Sequence, residues 1–438
     1  MAHKLFLFNF FILPFFFVTC NSLEPPPPEK TITLTLEDVS CIEAWINLNT
    51  SNLQLPTTII LEQNNETKKT INLDKADTLL YIDSLLPNTT HTFQASSIQH
   101  QVSSNKLSVT TLDTTSHNFT WQTFTFGEHS SSNLRDVAII DENNIWAVGQ
   151  IYLNDSLGQP DTQPYGAIHW NGIEWTPIKV PYHDFGSTNT FPGPLKTILS
   201  FGPDSIYVTS SANLLKFEGD EWVEKAFFMR SVPFDGQVLK MWGSNGNDIY
   251  CAGRTGAIYK FTGTNWNKLY SGTELDIYDI WGDYNERIDE WEILAVASDY
   301  YHSSDRKIIK IASNQSEIIS DEPLYQPLRA LWFSTNKQYY VTGSGIYQKH
   351  HLSDELWNNK PQDITTYSTY AIRGSNINNV IGVGAFGDVI HFNGINWKNN
   401  YQEPLLSYGA YYAVAVENNI IIAVGTEQSK AVIIIGEK

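Results

Sequence analysis

The feature that most constrains the fold is a repeat that occupies the chain from residue 119 to its end. Two clear copies read LKMWGSNGNDIYCAGRTGAIYKFTGTNW and YAIRGSNINNVIGVGAFGDVIHFNGINW. Trp175, Trp222 and Trp266 mark the ends of successive copies, 47 and 44 residues apart. Within each copy apolar and polar residues alternate, and the alternation breaks at Gly, Asn or Asp, which are typical of tight turns. Each copy therefore predicts a small antiparallel sheet.

Seven copies can be aligned on glycine and tryptophan, and they start at Leu134, Leu195, Leu239, Ile277, Leu328, Tyr370 and Ala413. A repeat of 40 to 50 residues with four strands is typical of one blade of a β-propeller. The last copy stops at Lys438 without an outer strand, while FTWQTFTF at residues 119–126 resembles an outer strand without its three predecessors. The sequence thus predicts an all-β chain with a seven-bladed β-propeller over residues 119–438, whose last blade is completed by residues 119–126.

The repeat resembles a unit found in exported proteins of Bacteroidetes-like bacteria, with the pattern W-G-x-x-x-x-D-[IV]-[WY]-x-V-G followed by G-x-[IV] and a closing tryptophan. Trp242, Gly243, Asp248 and Gly253 occupy its first half in the copy that ends at Trp266. The resemblance implies a secreted propeller, often with further domains, and it implies no reaction.

Residues 31–113 form a separate segment of short alternating strands, as in TITLTL and TTIILEQ, which predicts a small β-sandwich. Trp45 lies in its second strand, and LLPNTTHTF at residues 85–93 matches the L-x-P-x-T-x-Y corner with His91 at the tyrosine position. These marks resemble a fibronectin type III domain, which implies a sandwich of two antiparallel sheets.

The first twenty residues combine Lys4 with an apolar run from Leu5 to Val18, which is typical of a signal peptide and too short to span a membrane. The run ends in FVTC, which resembles the lipobox of bacterial lipoproteins and implies lipidation of Cys20. The Pro-rich stretch within residues 21–30 is a spacer that would hold a folded body away from a membrane. We expect an exported lipoprotein of the outer membrane or cell surface; ordinary signal cleavage, giving a periplasmic or secreted protein, is the alternative.

Composition excludes some partners. The chain has 28 Lys and Arg against 47 Asp and Glu, a net charge of −19, which would repel nucleic acid and an anionic bilayer. Membrane contact is therefore expected only through the lipid anchor. Cys41 and Cys251 lie in different segments and suggest neither a disulfide framework nor a zinc site. The sequence predicts no metal or other cofactor, and we expect a monomer.

Loop lengths point to one face of the propeller as the binding face. The long loops, at residues 150–164, 181–194, 229–236 and 298–306, fall between second and third strands or between blades, and both kinds of loop open on the same face. Their aromatic and histidine side chains suit recognition of a sugar or a protein, and the candidates are Tyr165, Tyr182, His183, Tyr301 and His302. The alternative is that these loops pack on themselves.

A second set of candidates comes from one position near the start of each copy, just after the leading apolar residue. Counted in this way, the seven positions are Arg135, Lys196, Lys240, Tyr278, Arg329, Ala371 and Tyr411. Four of the seven are cationic in an acidic protein, so Arg135, Lys196, Lys240 and Arg329 could surround the mouth of the central channel and attract a carboxylate or sulfate. The alternative is that each one pairs with acids of the neighbouring blade.

The sequence contains no Asp-box, G-x-S-x-G, H-E-x-x-H or P-loop motif. The predicted function is therefore non-catalytic binding of an extracellular glycan or protein through the loop-rich face, and we identify no catalytic residue. Because propeller enzymes can assemble paired carboxylates from different blades, a polysaccharide hydrolase or lyase remains one alternative. A structural component of an envelope assembly is the other.

Overall fold

The computed structural model describes most of the chain, namely residues 28–183, 188–210, 213–219, 221–227, 237–299, 305–312, 315–324, 326–359, 365–400, 406 and 408–438. These residues are all-β, with one 3₁₀ turn at Arg254–Gly256 and no α-helix among them. The chain divides into two compact units. One consists of Ile46–Leu80 and His91–Ser108 with the residues up to Leu36, and the other of Glu37–Trp45, Tyr81–Thr90 and Val109–Lys438.

Eight strands precede the repeats: Thr31–Val39 (β1), Ala44–Ser51 (β2), Thr57–Gln63 (β3), Glu66–Leu73 (β4), Asp77–Ile82 (β5), Thr90–Ser97 (β6), Val102–Ser103 (β7) and Leu107–Thr110 (β8). They form one sheet in the order β1-β2-β5 and a second in the order β4-β3-β6-β7, with β8 also on β6. Alternate residues are buried, as Ile59 and Leu61 are on β3 and Phe93 and Ala95 are on β6. His91 is buried, and its Nδ1 lies 3.1 Å from Gln63 Nε2.

Thirty strands follow: Thr120–Phe126 (β9), Asn133–Asp141 (β10), Asn144–Ile151 (β11), Tyr165–Trp170 (β12), Trp175–Ile178 (β13), Pro181–His183 (β14), Thr190–Pro192 (β15), Thr197–Ser200 (β16), Ile206–Thr209 (β17), Asn213–Glu218 (β18), Glu221–Phe227 (β19), Val238–Asn245 (β20), Asp248–Gly253 (β21), Ile258–Phe261 (β22), Trp266–Leu269 (β23), Asp276–Asn285 (β24), Glu290–Ser298 (β25), Arg306–Ile311 (β26), Ser316–Ile319 (β27), Leu328–Ser334 (β28), Gln338–Gly343 (β29), Gly345–Lys349 (β30), Asn358–Asn359 (β31), Thr369–Asn376 (β32), Asn379–Gly384 (β33), Val389–Phe392 (β34), Trp397–Asn399 (β35), Gly409–Glu417 (β36), Ile420–Glu427 (β37) and Lys430–Glu437 (β38).

Apart from the hairpin β14-β15, these strands form seven antiparallel sheets of four. Six sheets are consecutive in sequence: β10-β11-β12-β13, β16-β17-β18-β19, β20-β21-β22-β23, β24-β25-β26-β27, β28-β29-β30-β31 and β32-β33-β34-β35. The seventh has the order β36-β37-β38-β9. The first strand of each sheet contacts the first strand of the next, and β36 of the seventh sheet contacts β10 of the first.

The seventh sheet takes its fourth strand from the segment that precedes the first sheet. Strand β9 pairs antiparallel with β38, with Phe124 opposite Ile433 and Trp121 opposite Gly436. A Cβ on Gly436 would overlap the Trp121 ring, so glycine is needed where that ring crosses the strand. Strand β9, within residues 119–126, thus forms the outer strand beside the last strand of the described chain.

The cores lie between adjacent sheets. Leu134, Ala147 and Ile168 of the first sheet pack with Ile422 and Ile433 of the seventh in one buried cluster. Two aromatic side chains reach across such interfaces onto bare backbone, because a Cβ on Gly282 would overlap Trp242 and a Cβ on Gly374 would overlap Trp332. Since each sheet covers its neighbour, burial of apolar surface holds the seven sheets together.

Replacing Phe124 tests whether strand β9 stabilises the contact between the seventh and first sheets. Its ring packs on Trp170 and Trp175 of the first sheet, at centroid distances of 5.9 and 6.3 Å. We expect Phe124→Ala to lower the free energy of unfolding by about 2 kcal/mol, because a half-buried aromatic contact is lost. Urea unfolding followed by tryptophan fluorescence would measure this. Thr125→Ala, on the exposed face of the same strand, should unfold at the same urea concentration as the wild type. Equal unfolding midpoints for the wild type and both variants would show that β9 does not stabilise this contact.

Candidate functional site

A β-bulge near the start of the first strand recurs from sheet to sheet. In the first sheet Leu134 pairs with Gly149 and Asp136 with Val148, so that Arg135 is the extra residue. The same shift occurs in five more sheets, where the extra residues are Leu239, Tyr278, Arg329, Tyr370 and Tyr412. In the second sheet Lys196 takes the corresponding place, between Leu195 and Thr197. A bulge redirects a side chain away from the regular alternation of the strand.

The repeat glycine near the end of the second strand makes room for this bulge. A Cβ on Gly149 would overlap the carbonyl oxygen of Asn133, and one on Gly253 would overlap that of Gln237. The same close approach occurs at Gly343, Gly384 and Gly425. One glycine of the sequence repeat is thus a packing requirement of the bulge, and it marks which residue of the first strand is extra.

The seven residues Arg135, Lys196, Leu239, Tyr278, Arg329, Tyr370 and Tyr412, hereafter the mouth ring, line a single cavity of about 420 Å³ together with Gln237 and Arg254. In the described part of the chain, no aspartate or glutamate lines this cavity. Arg254 Nε lies 3.9 Å from Asp276 Oδ2, and the Arg254 side chain is 56% exposed. The cavity is therefore cationic within a protein of net charge −19.

Tyrosine rings hold two of the guanidinium groups. The Arg329 guanidinium lies over Tyr278 at 4.5 Å and over Tyr370 at 5.7 Å from the ring centroids. The Arg135 guanidinium lies over Tyr412 at 4.6 Å, and Tyr370 and Tyr412 stack at 6.2 Å with 19° between their planes. Cation–π contacts of this kind position a guanidinium without neutralising its charge.

The neighbouring cations affect the pKa of Lys196. Burial lowers the pKa of its ammonium, and the positive charges of Arg135 and Arg254 lower it further. Burial raises the pKa of Tyr278, against the opposing effect of Arg329. An anion entering the cavity would relieve the repulsion among these cations.

Lys240 was predicted to lie at this mouth, and the structure contradicts that placement. Because of the bulge, Lys240 pairs with Ala252 and its predecessor Leu239 is the extra residue. The Lys240 ammonium lies 2.6 Å from Asp136 Oδ1, and this carboxylate is 3% exposed. Asp136 Oδ2 also accepts hydrogen bonds from Thr197 Oγ1 and the Ile198 amide. Lys240 is therefore paired with an acid, as in the alternative given from the sequence, and its ion pair with Asp136 links the first three sheets.

A second ion pair links the fourth, fifth and sixth sheets in the same way. Asp279 accepts from Arg373 Nη2 at 2.7 Å and Nη1 at 2.8 Å, and from the Leu331 amide at 3.0 Å. Both side chains are nearly buried, and Arg373 also lies 5.0 Å from the Trp281 ring centroid. Lys240, Trp281 and Arg373 line a different cavity of about 310 Å³. Each cation of this second cavity is paired with a buried carboxylate, Lys240 with Asp136 and Arg373 with Asp279.

The loop candidates in the described residues serve the scaffold. Tyr182 Oη donates to the Pro194 carbonyl at 3.0 Å, and its ring packs on a buried cluster of the first two sheets. Tyr165 pairs with Ile151, packs on the core, and lies under the Lys179 ammonium at 5.2 Å. His183 Nδ1 lies 3.1 Å from Glu224 Oε2, which also accepts from the His183 amide. None of the three lines the cavity of the mouth ring.

Cys20, Tyr301 and His302 lie outside the described residues. Of the four predicted cations, the structure therefore brings together Arg135, Lys196 and Arg329 and separates Lys240 from them. The count by leading apolar residue also failed in the sixth and seventh sheets, where Tyr370 and Tyr412, and not Ala371 and Tyr411, face the cavity.

Sequence reasoning missed Tyr370, Tyr412 and Arg254 as cavity residues. A signal for the first two is present in the repeat glycine. Gly384 pairs with Thr369 and Gly425 with Tyr411, and in both sheets the residue after that partner is the one at the mouth. Arg254 has no such signal, because it follows the second strand at a 3₁₀ turn.

Another polar cluster lies between the segment before β9 and the sixth sheet. His117 Nδ1 and His391 Nδ1 are 2.8 Å apart, and His391 Nε2 lies 3.1 Å from Asn379 Oδ1. Burial, together with the positive charge of Lys438 and a smaller effect of His117, lowers the pKa of His391 to about 2. Burial also lowers the pKa of Lys438, whose ammonium donates to Asn379 Oδ1 at 2.7 Å, to about 8.

Among the described residues, no three His, Cys, Asp or Glu side chains are grouped as a metal ion requires. Within the same residues, no helix has the length and apolar character needed to cross a membrane.

No protein-family model matches the chain, and no curated protein matches it. Among solved structures, it is similar to YCF48 bound to a D1 peptide, with 14% identity and a TM-score of 0.53 over 73% of this chain and 95% of that one. It is also similar to YCF48 from Cyanidioschyzon merolae, with 15% identity and a TM-score of 0.50 over 72% and 98% of the two chains. At these identities the likeness shows the fold alone, which is of the β-propeller type.

The buried Lys240–Asp136 ion pair and the mouth ring make different contributions to stability, and one substitution in each distinguishes them. Lys240→Met leaves the Asp136 carboxylate buried without its cation, so we expect the free energy of unfolding to fall by about 3 kcal/mol. Arg135→Met removes an exposed cation and should change it by less than about 0.5 kcal/mol. Urea unfolding of both variants checks this, and equal losses would show that Lys240 has no special structural role.

The low pKa of His391 predicts that the folded protein loses stability in acid. Its pKa is about 2 in the folded protein against 6.5 for the free side chain, so the unfolded chain binds the proton more readily. Stability contributed by neutral His391 is fully present above pH 6.5 and is lost as the pH falls, by about 2 kcal/mol at pH 5. Urea unfolding at pH 7.5 and 5.0 should show a smaller loss for His391→Asn than for the wild type. His351→Asn, a half-buried turn residue, is the control; a loss in His391→Asn as large as in the wild type would refute the assignment.

Proposed function

We propose that this chain is an exported cell-envelope lipoprotein, anchored through Cys20, in which a fibronectin type III-like sandwich precedes a seven-bladed propeller. The propeller binds an extracellular protein or glycan partner at the loop-bearing face and does not transform it. The seven four-stranded sheets, with β9 completing the last, support the blade count. The two small sheets of residues 31–110 support the sandwich assignment.

The observation that carries the binding function is the composition of the mouth-ring cavity. Arg135, Lys196, Arg254 and Arg329 line it, and no carboxylate does so among the described residues. General acid-base hydrolysis of a polysaccharide uses a pair of carboxylates, whereas capture of an anionic partner uses cations in a preformed concave site. One structural neighbour, YCF48, is described as bound to a D1 peptide, which supports a partner-binding propeller.

The residues around His183 give little support to the alternative function, a polysaccharide hydrolase or lyase. Glu224 is the carboxylate that contacts this histidine in the described part of the chain, and Tyr182 and Asn213 beside it make hydrogen bonds to loop carbonyls. A structural role in an envelope assembly would use a flat apolar face, and the mouth-ring cavity is concave and cationic.

A capture experiment tests this function. The full chain, Lys196→Glu with Arg329→Glu, and the control Lys106→Glu, which carries an exposed cation of the sandwich, would each be immobilised. Envelope extract from the source cell and a glycan array would be applied to all three. We expect the wild type and control to retain a common partner and the double variant to lose it. A partner retained equally by the double variant, or a change in the mass of the retained partner on prolonged incubation, would contradict non-catalytic binding at this face.

A further inference from the structure

We infer that the mouth ring recognises the carboxylate groups of an acidic polypeptide segment and not a glycan. The inference rests on the proposed binding function and narrows it to one class of partner. Three properties of the binding face lead to it: its charge, the positions of its aromatic rings, and the apolar side chains on the surrounding loops.

The charge of the cavity selects an anion. Arg135 and Lys196 belong to the first and second sheets and Arg329 to the fifth, so a group bound in the cavity meets cations from three sheets. Carboxylates of an incoming segment would form charge-assisted hydrogen bonds with guanidinium and ammonium groups, which are stronger than neutral ones. The −19 charge of the whole chain would repel an acidic partner elsewhere, so the cationic mouth also sets where such a partner docks.

Neighbouring side chains already contact the tyrosine rings, which leaves a sugar ring less of the flat surface on which it would stack. Arg329 lies over the rings of Tyr278 and Tyr370, and Arg135 lies over Tyr412. Tyr370 and Tyr412 also stack on each other. Because these contacts cover ring faces, what remains for a ligand is the charge of the guanidinium groups and the polar edges of the tyrosines.

The loops of the same face carry exposed apolar side chains. Leu157 and Phe386 lie between second and third strands, and Phe191, Tyr270 and Tyr408 lie between consecutive sheets, which places all five on the loop-bearing face. Their exposure runs from 47% at Phe191 to 82% at Leu157. A polypeptide can cover such side chains with its own apolar residues, whereas a sulfated or carboxylated glycan presents almost no apolar surface to them.

Binding of designed probes to the full chain tests the inference. The probes are a fluorescent peptide that alternates glutamate with leucine and phenylalanine, the same peptide with glutamine for glutamate, and, as competitors, heparin and alginate. Fluorescence anisotropy at two salt concentrations gives the affinities. We expect the glutamate peptide to bind, the glutamine peptide to bind at least about tenfold more weakly, and the affinity to fall with added salt. Displacement of the peptide by heparin or alginate at equal charge concentration would overturn the inference.

Variants of the mouth ring assign the binding to these residues. Arg135→Gln and Lys196→Gln should each weaken binding of the glutamate peptide several-fold, and Lys106→Glu should not. Leu239→Arg adds a cation at the one aliphatic position of the ring and should strengthen binding several-fold, a gain that damage to the fold would not produce. Unchanged affinity in Arg135→Gln, Lys196→Gln and Leu239→Arg would overturn the inference.

The capture and probe experiments together distinguish failure of this inference from failure of the proposed function. If the capture experiment retains a partner through Lys196 and Arg329 but only the glycan probes bind, the protein is a binding protein and the polypeptide assignment is wrong. If the capture experiment retains nothing and no probe binds, both fail.

Discussion

The pairing of β9 with β38 is the constraint on which the arrangement of the seven sheets depends. Strand β38 is buried from Ala431 to Ile435, and without β9 its outer edge would present unpaired backbone groups beside an apolar strand. The pairing joins the segment before the first sheet to the last strand of the seventh, so that the contacts between first strands run from β10 through β36 and back to β10. The core between the first and seventh sheets includes Phe124 and Phe126 of β9, so the contact between these two sheets depends directly on the pairing.

The bulge connects the repeat to the site. A glycine near the end of the second strand lets the carbonyl before the bulge approach, and the bulge in turn directs one extra residue per sheet into the cavity. The scaffold keeps the glycine in five sheets, at Gly149, Gly253, Gly343, Gly384 and Gly425, while the extra residue differs from sheet to sheet. The backbone thus defines seven places, and their side chains alone decide what the cavity attracts.

Charge is divided between the bulge residue and the residue that follows it. Asp136 and Asp279 follow the bulges of the first and fourth sheets, where they are buried and paired with Lys240 and Arg373. Each carboxylate also accepts a backbone amide of the next sheet, so each ties three consecutive sheets together. These two cations are paired with buried acids. The residue after the bulge therefore serves stability, while the bulge residue itself lines the mouth-ring cavity.

The sequence by itself determined the number of four-stranded repeats and the segment that supplies the fourth strand of the last sheet, because turn residues and apolar alternation are local signals. Four cations were proposed from the sequence, and three of them meet at the mouth. Only the tertiary structure decided the rest. A bulge adds one residue without changing the spacing of the turns, so the turns do not show which residue faces the cavity. The bulges place Leu239 and not Lys240 at the mouth in the third sheet, and Tyr370 and Tyr412 in the sixth and seventh. The partner of Lys240 lies 104 residues earlier in the sequence, and no local pattern specifies a contact that depends on how whole sheets stack.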